Sequence, residues 1–234
     1  QESMKFSNMF IVMLANSADR EMYEMTYRAI SFVNMHRPKN SILTLVETNV
    51  NIEKEPFYLE PYRVNRLLRK TPFNYNEALA YAVRDFQMLS TDIFCVLNND
   101  IVVHAGAFDE LVDALSRWDV VSAWADNSIL HTDKHGETEG YAPSHFFSGW
   151  AWMCKWSMIE DIGFEECFPP VLRFWYQDNW FIEQFKRHGY RHALIRKAIV
   201  THLESRSHRL LDNAREATIG QKDVYDNLRG IHGI

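Results

Sequence analysis

Phe94-Cys95-Val96-Leu97-Asn98-Asn99-Asp100-Ile101-Val102 is an apolar run that stops abruptly at three side chains carrying oxygen ligands. The run from Ile93 to Leu97 suits a buried strand. A strand terminus holds its last side chains rigidly, and hard divalent cations such as Mn2+ or Mg2+ prefer carboxylate and carbonyl oxygens. Asp100 is therefore a candidate metal ligand. Taken alone the tripeptide reads more simply as a turn, since Asn and Asp cap strands and helices everywhere. Only its company along the chain changes that reading.

The same grammar continues outward in both directions. Phe10 to Leu14 and Ile42 to Val46 repeat the short apolar run, and polar groups follow each, Asn16 and Ser17 after the first and Glu47 to Asn49 after the second. Helical spacing connects Met22, Met25, Ala29 and Phe32, then Leu79, Val83, Phe86 and Leu89, then Phe108, Leu111, Val112 and Leu115. Strands separated by amphipathic helices make βαβ units. The expected fold is thus α/β and Rossmann-like, a mainly parallel central sheet flanked by helices. Ligands of such sheets sit beyond the carboxyl ends of the strands, so Asn16, Glu47 and Asn98 to Asp100 should gather at one edge. After Trp124 the alternation weakens, and an aromatic stretch from Tyr141 to Trp156 precedes another helix and a last apolar segment.

The 234 residues contain no repeat or linker tract, which predicts a single domain over residues 4–234, with Met4-Lys5 read as a natural start and Gln1 to Ser3 set aside. Hydrophobic residues at 47% and charged residues at 24% exclude a disordered chain. Cys95, Cys154 and Cys167 are odd in number and have no metal-binding spacing, so they read as buried or free thiols of a reducing compartment. With neither a basic and apolar leader nor an apolar run of about 18 residues, the expectation is a cytoplasmic protein without a membrane span. The net charge of −6 argues against broad non-specific nucleic-acid binding. Basic residues nonetheless concentrate between Lys186 and Arg209, and again at Arg63, Arg66, Arg69 and Lys70, where they could converge on a phosphorylated ligand.

Downstream of Asp100 come Ser148-Gly149-Trp150, Glu160-Asp-Ile-Gly-Phe-Glu-Glu166, Phe174-Trp175-Tyr-Gln-Asp178-Asn-Trp-Phe, His188-Gly-Tyr190 and Val200-Thr-His202. In order and approximate spacing this series resembles the inverting GT-A glycosyltransferases of family 2, from Phe10 to about Ser207. Their motifs run from a DxD-like triplet through a Gly-containing acceptor loop and an acid pair on a helix to a late histidine. No single motif is specific; the ordered set carries the resemblance.

The resemblance implies a residue-by-residue assignment. Asp100 and His202 match metal ligands, for Mn2+ or Mg2+. Asn98 and Asn99 match contacts to the donor's ribose or sugar, and Glu47 matches the acid that addresses the nucleoside. Asn16, Arg69, Asn74 and Asn76 complete the donor set, with a UDP-sugar the expected donor. Asp178 matches the catalytic base, and Gly149, Trp150 and Trp175 the acceptor wall. Residues to about 125 would then form the nucleotide-sugar half and residues from about 126 the acceptor and catalytic half. Two departures stand out: the triplet opens with Asn98 where many relatives carry Asp, and the acid pair reads Gln177-Asp178. One carboxylate suffices for a single displacement, whereas a double displacement also needs a nucleophile.

Each residue has a plainer reading. Asp178 alone would be a helix N-cap, His202 a hydrogen-bonded core histidine, and the tryptophans core. The implied acceptor is a saccharide, or alternatively a hydroxymethylated pyrimidine in phage DNA, with the basic stretch holding phosphates and an extruded base. A nucleotidyltransferase would share sheet and metal but normally carries a Gly-rich phosphate loop near its start, absent here. A non-catalytic sugar-binding module is the remaining alternative.

Overall fold

The computed structural model describes residues 8–17, 19–49, 65–68, 74–86, 91–131, 136–142, 145–173, 175–203 and 214–233. The apolar runs form strands where expected: β1 (Met9–Ala15), β2 (Ser41–Glu47), then a short β3 (Asn65–Leu68) that carries no strong sequence signal, then β4 (Ile93–Asn98). These four lie side by side in the order β3-β2-β1-β4, all parallel. The sheet continues through β8 (Ala151–Lys155), antiparallel to both β4 and β6 (Val120–Ala125), and then through β9 (His192–His202), parallel to β6. Two three-residue strands, β5 (Ile101–Val103) and β7 (Glu137–Glu139), pair antiparallel with β9. The result is a mostly parallel central sheet with helices on both faces, as the alternation of apolar runs predicted.

Side chains of a strand alternate between faces, and each face builds its own core. Ile11 and Met13 of β1 pack with Ile30, Val33 and Phe108 under α1 (Arg20–His36) and α3 (Ala107–Ala114). Phe10, Val12 and Leu14 pack on the other face against α2 (Tyr75–Phe86), α4 (Trp156–Ile162), the single turn α5 (Phe164–Cys167) and α6 (Gln177–Arg187), joined by Tyr225 of α7 (Ala214–His232). Asp19 caps α1 by accepting the Met22 amide at 2.8 Å. The buried stripe of α1 runs through Met22, Met25, Ala29, Ile30 and Val33, while Phe32 is only half-buried. The three cysteines are buried free thiols, and burial raises all three thiol pKa values, which leaves them unreactive. Among the described residues, no helix is long and apolar enough to cross a membrane.

The register sets the geometry of one edge. Ala15 lies opposite Glu47 and Leu14 opposite Asn98, so Asn16, Glu47 and Asn98 emerge at the same level. Two strand spacings, about 10 Å, separate Glu47 from Asn98. β9 reaches that edge by a bulge: Ala123 faces Ile195 but Trp124 faces Ile199, so three residues loop out and the strand end is re-aimed. It then pairs with β5, which puts His202 opposite Ile101, next to Asp100.

The first part of the basic stretch lies away from this edge. β9 begins opposite the start of β6, so Arg191, just before it, lies at the opposite edge of the sheet. There Arg191 binds Glu139 at 3.0 Å and covers the Trp118 ring, while Arg187 pairs with Glu166 at 3.4 Å. Arg69, Lys70, Arg206 and Arg209 lie outside the described residues.

Candidate functional site

Asp100 occupies the turn between β4 and β5, nearly fully buried, with Oδ2 3.3 Å from Nε2 of His202. Its carbonyl accepts the Leu203 amide at 2.7 Å, extending the β5–β9 ladder past the turn. The His202 ring stacks on Trp150 at 4.7 Å and 9°. Its backbone is clasped by the Asn127 side chain, which accepts from the His202 amide at 3.0 Å and donates to the His202 carbonyl at 2.6 Å. The backbones of both residues are tied down, yet Asp100 Oδ1 and His202 Nε2 have no hydrogen-bond partner among the described residues. Leaving a buried acceptor unsatisfied costs roughly 1–3 kcal/mol, and native structures rarely tolerate it without a reason. A carboxylate and an imidazole with idle lone pairs at one point are the donor set a divalent cation takes. No group of three or more His, Cys, Asp or Glu suited to a metal occurs among the described residues, so the remaining ligands would be the donor's oxygens and water.

Glu47 sits fully buried at the end of β2. Its Oε1 accepts the amides of Ser17 at 3.0 Å and Asn49 at 2.8 Å, which knits the ends of β1 and β2 together. Its Oε2 has no partner among the described residues, and the same holds for the buried Ser17 hydroxyl. The loop beyond β2 thus presents a rigid carboxylate oxygen at the strand edge.

Asp178 comes from a third direction. It stands at the second position of α6, not at its N-cap, which is Tyr176. Its Oδ1 accepts the Asn179 amide at 2.9 Å. Burial raises its pKa above the ordinary carboxylate value, and that backbone hydrogen bond opposes the rise. Gly149 is its wall: a Cβ there would stand 3.1 Å from Asp178 Cβ and 3.3 Å from Oδ2. The glycine is needed for this close approach. Tyr75, at the start of α2, faces the same group, its phenol pKa raised by burial and then by the Asp178 charge. A partly buried carboxylate with a raised pKa beside a glycine gap is a group suited to take a proton at neutral pH.

Other expected residues land less directly. Asn98 is half-buried at the edge and its amide donates to the Trp150 carbonyl at 2.8 Å. Asn99 is buried, and its side-chain NH2 donates to Thr26 of α1, so this part of it secures the turn. Asn74 caps α2 by accepting the Glu77 amide at 3.1 Å, and the amide groups of Asn74 and Asn76 donate to the Pro170 and Pro169 carbonyls. Those contacts fasten the loop ahead of α6 and use the donor groups that a nucleotide would otherwise have met. Trp150 is half-buried and packs against His202 and His131, so its ring shapes the Asp100–His202 pair. Asn16 and Trp175 are half-buried, the latter in the segment entering α6, and Arg69 lies outside the described residues. A cavity of about 330 Å3 lined by Glu21, Glu24, Met25, Arg28 and Leu203 opens on α1 beside the edge; neither Asp100 nor His202 lines it. Sequence reading missed Asn127, Tyr75 and Tyr176. Asn127 follows a strand-like run ending at Ala125 and repeats the polar-after-strand signal; Tyr75 and Tyr176 leave no such trace.

No family model matches the sequence, and no curated protein does. Structural comparison finds the crystal structure of GalNAc-T7 with UDP, GalNAc and Mn2+, at a TM-score of 0.67 and 11% identity. The fold is the GT-A glycosyltransferase fold. The match covers 85% of this chain and 44% of that one, so the chain spans less than half the length of this GT-A structure. At such low identity the likeness concerns the fold.

Proposed function

We propose that the chain is a metal-dependent glycosyltransferase that moves a sugar from a UDP-sugar to the hydroxyl of a saccharide acceptor with inversion. The observation that carries the reading is the convergence of unsatisfied polar atoms at the carboxyl edge of the sheet: Asp100 Oδ1, His202 Nε2 and Glu47 Oε2. The GT-A fold supports it, as does the neighbour that binds UDP, GalNAc and Mn2+. Asp100 and His202 would hold the divalent cation, which when bound would neutralise charge on the diphosphate leaving group. Glu47 accepts from the nucleoside, and Asn16 and Asn98 line the same edge. Asp178 removes the proton of the acceptor hydroxyl as it attacks, and Gly149 leaves the acceptor room beside it. Inversion is carried over from the family resemblance, and a single carboxylate acting as base is compatible with one displacement.

The saccharide reading gains over the modified-base reading from the basic stretch, whose Arg187 and Arg191 are paired with acids at the far edge. A panel of UDP-sugars and saccharide acceptors, assayed for UDP release with Mn2+ and with excess chelator, tests the proposal. Release that needs both cation and acceptor is the expected outcome. Release unaffected by chelator, or salt-sensitive retention on duplex DNA in its place, would count against it.

A further inference from the structure

The carboxylate assigned above as the base depends on a backbone conformation that its own helix does not secure. Tyr176, which supplies the carbonyl for the Trp180 amide at 2.9 Å and so starts α6, has φ 65° and ψ 9°. It is the only non-glycine residue with positive φ among the described residues, and its side chain makes no capping hydrogen bond. Left-handed backbone is unfavourable for a side chain with a Cβ, so the conformation persists only where surrounding structure holds it.

That hold comes from α7. Tyr225 stacks on Tyr176 with ring centroids 5.1 Å apart at 19°. Tyr225 is itself fixed: its hydroxyl donates to Glu183 of α6 at 2.6 Å, and Arg229 binds the same carboxylate at 2.9 Å. One turn earlier Gln221 accepts the Arg173 amide at 2.5 Å, and the Arg173 carbonyl in turn accepts the Tyr75 amide at 2.9 Å. One helix therefore grips the segment entering α6 at two points and reaches, through Arg173, the residue that faces Asp178. We propose that α7 is a clamp for the base, with Tyr225 a positioning residue that keeps Tyr176 left-handed and Asp178 aimed at the acceptor. The inference rests on Asp178 being the base of the proposed reaction.

The test uses the full chain with Tyr225→Leu, Tyr225→Phe, Glu183→Gln, Asp178→Asn and the pair Tyr176→Gly with Tyr225→Leu. Amide exchange at Asn179 and Trp180 needs no substrate, and turnover is read as separate kcat and donor KM. Tyr225→Leu should speed exchange of the first turn of α6 about tenfold and lower kcat about tenfold, donor KM unchanged. Tyr225→Phe keeps the stacked ring but loses the hydroxyl bond to Glu183, and should fall between wild type and Tyr225→Leu in both. Tyr176→Gly should restore both in the Tyr225→Leu background, because glycine holds that φ without a partner. If Tyr225→Leu does not fold, Glu183→Gln must move exchange and kcat in the same direction. Unchanged exchange, or a raised donor KM with kcat intact, overturns the clamp. Wild-type turnover in Asp178→Asn would sink the base assignment instead, and the exchange result would still judge the clamp on its own.

Discussion

Asp178 separates structure from chemistry because it stands inside the first turn of α6, after the N-cap position. At the second helical position Asn can still accept the Asn179 amide, so Asp178→Asn should leave the helix intact. The sign of its effect on stability follows from the raised pKa. Above the folded-state pKa the native state holds an ionised carboxylate it disfavours, and stability is gained as pH falls from there towards the unfolded-state value. The neutral Asn removes that cost. Asp178→Asn should therefore melt at or above the wild-type temperature at pH 7 while turnover falls by about 100-fold or more. The wild-type rate should rise along an acid limb set above the ordinary carboxylate range. Gly149→Ala offers a subtler probe at the same point. Its Cβ would come within 3.1 Å of Asp178 Cβ, and displacing the base should lower kcat about tenfold while leaving UDP affinity unchanged. Equal loss of UDP affinity would show that residue 149 belongs to the donor site.

Below the edge, β6, β8 and β9 are pinned by a buried polar relay. Ser148 donates its amide to the Ser122 hydroxyl at 3.1 Å; that hydroxyl meets His192 Nε2 at 2.8 Å, and Nδ1 of the ring bonds to the Gly140 carbonyl. Desolvation lowers the His192 pKa from 6.5 to about 4, with the Gly140 bond opposing. The folded state thus keeps the ring neutral while the unfolded state takes a proton below pH 6.5. Stability should fall as pH drops from 6.5 to about 4, by up to about 3 kcal/mol. Denaturant titrations across that range should show this slope, and His192→Gln should flatten it; an unchanged slope in the variant would place the titration elsewhere. Sequence patterning found β1, β2 and β4 and the last apolar segment, β9. β1, β2 and β4 are continuous apolar runs because both faces of a parallel strand are covered. It missed β6 and β8, which lie where the alternation weakens, it missed β3, β5 and β7, which are three or four residues long and take their pairing from neighbours, and it missed α7. Short edge strands, and a helix of which Tyr225 is the one buried side chain among those described, carry too few apolar positions for periodicity to register.

At the scale of the whole molecule, the gathering of Asn16, Glu47, Asn98 and Asp100 was legible because parallel topology alone puts strand ends together. The approach of His202 was legible only through the family resemblance, since in the chain it depends on the bulge after Ile195 and on the β5–β9 pairing. Nor could spacing foresee that Asn74 and Asn76 would bind the Pro169–Pro170 carbonyls, because that contact joins segments distant in the chain. The central claim is that this edge binds a nucleotide together with a divalent cation held by Asp100 and His202. Its most direct measurement is the melting temperature of the full chain with UDP, in Mn2+ or in excess chelator, for wild type and Asp100→Ala. A ligand at about a hundred times its Kd stabilises by about 2.7 kcal/mol, which for a domain of this size corresponds to a shift of about 5–10 °C. The account predicts that shift for wild type with UDP and Mn2+, and its disappearance in chelator and in Asp100→Ala. A UDP shift that survives both chelator and Asp100→Ala would contradict it.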